Sequence, residues 1–260
     1  MKLRLPLHCP RAVLLALAAT GLAVVARAGP PYVTDDPEPV EYQHWEVYLA
    51  SATQHTADDL AGTLPHLEVN YGVIPDVQLH LIVPDAFDAP AGEPRHYGLG
   101  DIEVGMKYRF VHETDSHPQI GVFPLVELPT GSAARGLGTG HTQLFLPVWI
   151  QKSWDKFTAY GGGGYWITPG AGNRNSWFAG WLGQYQLTKS FAPGVEIYYR
   201  TAQAVDASPT AQVNVGFVWD LSENLHILAS AGPAIHGPHG YQTYLAFQWT
   251  FGPEEKNGAK

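Results

Sequence analysis

A chain of 260 residues that is 45% hydrophobic can bury one sizeable core, and 24 Asp and Glu against 15 Lys and Arg set its net charge at −9. That balance argues against nucleic acid as a partner. The one cysteine, Cys9, lies in a segment expected to be removed on export, so disulfides, thiol catalysis and thiolate metal sites are excluded from the mature protein.

Lys2, Arg4 and Arg11 precede an apolar run from Ala12 to Val25, and Ala26-Arg27-Ala28 follows it with the small residues a signal peptidase needs. The run is shorter than the ~20 residues of a membrane-spanning helix. Residues 1–28 therefore read as a secretory signal. Four of the basic residues and no acidic one fall within it, which leaves the mature chain more acidic still. No later apolar stretch reaches spanning length. An exported chain of this kind is periplasmic, secreted or an outer-membrane barrel, since only helices and closed barrels satisfy their backbone in lipid.

Residues 29–44, with Asp35-Asp36-Pro37-Glu38-Pro39, are acidic and proline-rich and read as an extended periplasmic leader. No glycine-turned ligand loop accompanies the acids, so they do not read as a calcium site. From Trp45 onward twelve segments alternate apolar and polar residues with the period of an extended chain. They are 45–53, 64–73, 77–84, 98–110, 119–128, 142–152, 156–167, 177–187, 191–201, 211–221, 225–231 and 241–251. In the fourth, Ile102, Val104, Met106, Tyr108 and Phe110 share one face, and Asp101, Glu103, Gly105, Lys107 and Arg109 share the other. No stretch sustains a helical period, so the class is all-β.

The connections alternate in length. Tight links at 74–76, 112–117, 153–155, 188–190 and 222–224 interleave with long ones at 54–63, 85–97, 129–141, 168–176, 202–210 and 232–240. Short periplasmic turns and longer outer loops are the habit of outer-membrane barrels. Pairing about Pro75 sets Asn70 opposite His80 and Val69 opposite Leu81, and pairing about Lys189 sets Gln184 opposite Gly194, so polar and apolar rows keep their sides. Trp45, Tyr71, Tyr108, Phe110, Trp149, Trp166, Trp177, Tyr199, Trp219, Trp249 and Phe251 crowd the strand ends, where aromatic girdles sit. The expected fold is a 12-stranded antiparallel transmembrane barrel over 45–251, both termini in the periplasm, with a polar tail at 252–260.

The inward row then holds Glu68, His80, Asp101, Glu103, Lys107, Arg109, Glu127, Glu196 and Arg200 as lumen-lining residues. Charges of both signs there can bias passage or brace the wall against itself. Phe123, Phe145, Trp149, Phe178 and Tyr198 share inward positions and would narrow the passage. Gly161 to Gly164 lacks the Gly-Lys-Ser/Thr and helix of a phosphate cradle and suits a bend or a neighbouring ring. His236 and His239 lack a third metal ligand. Ser222 or Ser230 with His226 is the nearest approach to a hydrolytic constellation, and its members lie on opposite faces or in a turn. No catalytic residue and no cofactor are expected.

The last strand places Thr243, Leu245, Phe247, Trp249 and Phe251 on one face and ends on an aromatic, similar to the closing-strand signal read by the barrel assembly machinery. Thr34-Asp35-Asp36 before Trp45-Glu46, the run Asn70 to Asp76, the run Gly100 to Arg109 and Leu128-Pro129-Thr130-Gly131 resemble the outer-membrane family named after the meta-pathway of phenol degradation. The resemblance implies a barrel in the outer membrane of a Gram-negative bacterium, surrounded by lipid and concerned with uptake of small hydrophobic or aromatic molecules. It brings no catalytic residues. Two rivals stand beside this expectation: an envelope barrel that transports nothing and uses its outer loops for adhesion or structure, and a soluble secreted β-sandwich or ligand-binding barrel.

Overall fold

The computed structural model describes residues 31–253. The signal segment and most of the polar tail lie outside these residues. Twelve strands form a single antiparallel sheet: β1 Trp45–Thr56, β2 Asp59–Ile74, β3 Val77–Pro90, β4 in two pieces, His96–Leu99 and Ile102–Val111, and β5 in two pieces, Gln119–Val122 and Leu125–Leu128. The remainder are β6 Gln143–Trp154, β7 Phe157–Ile167, β8 Ser176–Tyr185, β9 Phe191–Arg200, β10 Thr210–Asp220, β11 Leu225–His236 and β12 Gly240–Phe251. Each pairs with its sequence neighbours, and β1 pairs with β12 from Trp45 opposite Phe251 to Thr56 opposite Gly240. The sheet closes on itself and leaves no open edge.

Alternation decides which way side chains point. Leu146, Val195, Ile197, Val215 and Leu245 are each about half exposed or more, with Val215 at 60%, while Lys107 is 4% and Glu196 0% exposed. A water-soluble sandwich would reverse those values. A continuous apolar outer wall of this extent belongs in lipid, and the barrel satisfies every requirement of a strand-built span. Among the described residues no helix is long and apolar enough to cross a membrane.

The register at two turns follows from the hydrophobic pattern, with Asn70 opposite His80, Val69 opposite Leu81 and Gln184 opposite Gly194. Two-residue turns close β2–β3 and β6–β7, and Asp76 (φ 65°) and Asp155 (φ 53°) supply the left-handed conformation such turns require. At the opposite end the expected long loops at 54–63, 85–97 and 232–240 are mostly strand, because pairing continues past the barrel wall as solvated hairpins. The 129–141 loop instead carries a short 3-10 turn, Ala133–Arg135, and buries Leu137 to 3%.

Two expectations about side-chain placement need correction. Trp166 does not belong to a girdle, and Trp149, expected both at a girdle and on the inward row, takes the inward place: the alternation on β6 and β7 counts both on the lumen row. Trp149 is 1% exposed within a layer formed with Phe123, Phe145, Phe178 and Tyr198, against which Val33, Leu125 and Trp166 pack. Gly164 makes room for that layer, since a Cβ there would come within 2.5 Å of the Phe145 ring. The larger correction concerns residues 31–44. Of these, 31–40 do not trail outside the barrel but run through its interior, where Thr34 and Asp36 are completely buried, while 41–43 are exposed.

Candidate functional site

The lumen is occupied from one end by this leader. A 12-stranded barrel is wider than side chains alone can fill, and this one carries inward glycines where the leader presses on the wall. A Cβ at Gly180 would lie 2.0 Å from Thr34 Oγ1, and a Cβ at Gly194 or Gly216 would lie 2.7 or 2.9 Å from the Tyr32 hydroxyl. The leader is then pinned polar group by polar group. Ser230 Oγ donates to the Pro31 carbonyl, Glu196 accepts from the Thr34 amide, and the Val40 amide donates to Gln78 Oε1 at 2.9 Å. Glu38 Oε2 accepts from Gln119 and Gln151, at 3.2 and 3.1 Å.

Lys107 is the central anchor. Its Nζ lies 2.9 Å from Asp35 Oδ1 and 3.5 Å from Asp36 Oδ2. Two adjacent carboxyls share one ammonium, and they do not share it equally. Burial pushes the Asp36 carboxyl well above the usual carboxylate range, whereas Asp35, against its own burial, is held below that range by Lys107. Asp35 is thus the anion of the pair. Asp35→Asn should expose the leader to protease about tenfold faster, the factor that accompanies ~1.4 kcal/mol, while Asp36→Asn should change the rate little. Equal rates in the two variants would refute the assignment. A second check is steric: Gly180→Val should displace Thr34 and release the leader to cleavage in a barrel that still migrates as folded on an unheated gel.

Beside the leader, toward β1–β4, an internal cavity of about 680 Å³ opens at the short-turn end. Of the nine lumen residues expected from the sequence, Glu68, His80, Glu103 and Lys107 border it. His80 is held between acceptors, with Nδ1 2.6 Å from Asn70 Oδ1 and Nε2 3.0 Å from Glu103 Oε1. Asn70 Nδ2 donates to Glu68 at 2.8 Å, which fixes the amide so that Oδ1 faces the imidazole. Asn70 Oδ1 and Glu103 thus face the two ring nitrogens, with Glu68 Oε1 3.7 Å from Nδ1.

The other five expected residues lie elsewhere. Asp101 sits where β4 is interrupted and accepts from the Gly131 amide at 2.9 Å and from the Thr139 amide at 2.7 Å, tying down the 129–141 loop. Arg109 clasps the β2–β3 turn, donating to Asp76 Oδ1 at 2.8 Å, and reaches Gln119 at 3.0 Å. Glu127 accepts from Gln143 at 2.7 Å, and the Arg200 guanidinium lies 5.7 Å from the centre of the Phe178 ring. Glu196 serves the leader.

Several cavity residues were not singled out from the sequence: Glu46 and Tyr48 on β1, His66 on β2, Tyr244 and Gln248 on β12. The signal for them was the same alternation, read on the outward rows of the first and last strands and not on the inward ones.

Ser230 and His226 share the inward face of β11, against the expectation of opposite faces; Ser230 donates to the Pro31 carbonyl, and His226 Nδ1 lies 2.6 Å from Asp220. Among the described residues no three His, Cys, Asp or Glu side chains form a metal cluster.

Comparisons with known proteins bear on this geometry. The COG4313 outer membrane channel from Pseudomonas putida F1 superposes with a TM-score of 0.70 at 14% identity, covering 83% of this chain and 98% of that one. The KdgM porin in complex with disordered oligogalacturonate follows at 0.55 and 11%, covering 79% and 99%, and the NanC porin at 0.52 and 7%, covering 78% and 98%. These are likenesses of fold. No curated protein matches the sequence. A family model described as MetA-pathway of phenol degradation matches residues 54–251, which is the last three residues of β1 through the end of β12, and the chain belongs to that family.

Proposed function

We propose that this protein is a passive channel for small hydrophobic or aromatic molecules in the outer membrane of a Gram-negative bacterium. The observation that carries the reading is the half-apolar cavity of about 680 Å³ inside a lipid-facing barrel, floored by Phe123 and walled by Tyr48, Leu228 and Tyr244. That volume suits a single small ring compound. The fold supports the same reading, since solved channels and porins share it. Its surroundings are lipid, it reaches the membrane through the barrel assembly machinery, and it catalyses no reaction.

Reconstitution tests this. The mature protein in planar bilayers should give discrete conductance steps, and liposomes containing it should take up a small aromatic solute faster than empty ones. The leader and the aromatic layer across the lumen favour a second reading, a closed envelope barrel that transports nothing. Absence of both conductance and flux, in a protein shown to be folded, would select it. Fractionation settles location: the protein should stay with outer membranes after an alkaline wash.

A further inference from the structure

Acidic and basic groups are unequal inside the cavity. The lining holds carboxyl groups from the leader and from β1, β2 and β4, but only one ammonium, Lys107. That ammonium is already committed to Asp35 and Asp36. Two carboxyl groups, Glu68 and Glu103, lie 3.7 and 3.0 Å from the single imidazole of His80. Glu46 faces the cavity too, and its only hydrogen bond among the described residues that bears on the lumen comes from a neutral group, the Tyr48 hydroxyl at 2.7 Å.

The apolar groups come mostly from other strands, and Glu46 stands beside Tyr48 on β1. Tyr48, Val218, Leu228 and Tyr244 come from β1 and β10–β12, and Tyr48 and Leu228 are 3% and 2% exposed. The lining thus combines carboxyl groups from the leader, β1, β2 and β4 with apolar groups from β1 and β10–β12.

From this arrangement we infer that the guest selected by the cavity is a small organic cation, a protonated amine on an aromatic or short alkyl body, and that carboxylates of the same size are disfavoured. The inference rests on the channel reading and narrows its solute class. The ammonium lies against Glu46, Glu68 and Glu103, and the ring lies on Tyr48, Leu228 and Tyr244. Rings of carboxylates select cations by the same electrostatics in other pores. Lys107 does not oppose it, because the leader carboxyls neutralise that charge before a guest arrives.

The test uses the full mature chain with benzylammonium and benzoate, which differ in charge but hardly in size. In bilayers under a potassium chloride gradient the reversal potential should take the sign of cation preference. In liposomes benzylammonium should enter roughly tenfold faster than benzoate, a ratio equivalent to ~1.4 kcal/mol. Glu103→Gln and Glu46→Gln, made separately so that a folding failure in one leaves the other informative, should each lower that ratio several-fold. Benzoate entering as fast as benzylammonium, or a ratio unmoved by either folded variant, would overturn the inference while leaving the channel intact. If neither solute crosses and no current flows, the channel reading fails instead. Calorimetric binding of benzylammonium to the detergent-solubilised barrel then decides the cavity's preference: binding lost in Glu103→Gln supports it, and no binding to the parent protein refutes it.

Discussion

Deleting residues 31–41 behind the export signal should raise single-channel conductance about fivefold or more, because it converts a lumen filled by a polypeptide into one filled by water, as in open porins. The leader spans the interior from Ser230 on β11 to Gln78 on β3, and its Thr34 and Tyr32 press on the wall at Gly180, Gly194 and Gly216. The barrel should survive the deletion. Its wall is held by continuous pairing from β1 through β12, and the groups the leader leaves behind, Lys107, Arg109 and Glu196, would face water in place of a dry contact. Exposed to solvent, their lost ion pairs are worth ~1 kcal/mol or less each. Heat-modifiable migration on a gel checks folding, and bilayer recording reads conductance. A deletion variant that folds yet conducts no better than the parent would show that the aromatic layer of Phe145, Trp149 and Phe178, and not the leader, sets the constriction.

The second large effect concerns the outside of the wall. Val215→Arg, at the middle of β10, should destabilise the barrel by about 2–4 kcal/mol when it is folded into lipid vesicles, the range for a charged residue facing the middle of a bilayer. Val215 is 60% exposed, so no packing is lost and no cavity is created; the whole effect is transfer of a guanidinium into hydrocarbon. The same change at Tyr199 or Trp249, near strand ends, should cost less because the side chain can reach the interface. Urea titrations in vesicles measure the difference. A value near zero at Val215 would mean that this face meets water, and the membrane assignment would fall with it.

How much of this was readable in advance depended on which physical rule a residue obeyed. Alternation placed Val104 and Lys107 on opposite faces without any knowledge of neighbours, and the same rule applied to β1 and β12 would have found Glu46, Tyr48 and Tyr244. Trp166 was mislaid, and Trp149 counted twice, when strand-end position was allowed to override face. Asp101 obeyed the alternation but not the role, because β4 breaks at Gly100-Asp101 and frees the carboxylate to hold the 129–141 loop. Leader residues escaped altogether. An acidic, proline-rich stretch lacks periodicity, so local pattern cannot distinguish a free tail from a chain threaded among partners far away in sequence. Thr34 meets Glu196 and Asp35 meets Lys107 across separations of 162 and 72 residues.

The amino-acid sequence alone determined the strand count, the register at two turns and the lipid-facing rows, because each depends on the period of an extended chain or on short-range turn chemistry. Only the tertiary structure decided that the leader fills the lumen, that the inward acids divide into anchors and a cavity wall, and that His80 is held between Asn70 and Glu103. Closing the sheet brings β1 against β12 and sets groups from opposite sides of the cylinder face to face, and no local rule reports distances across that space.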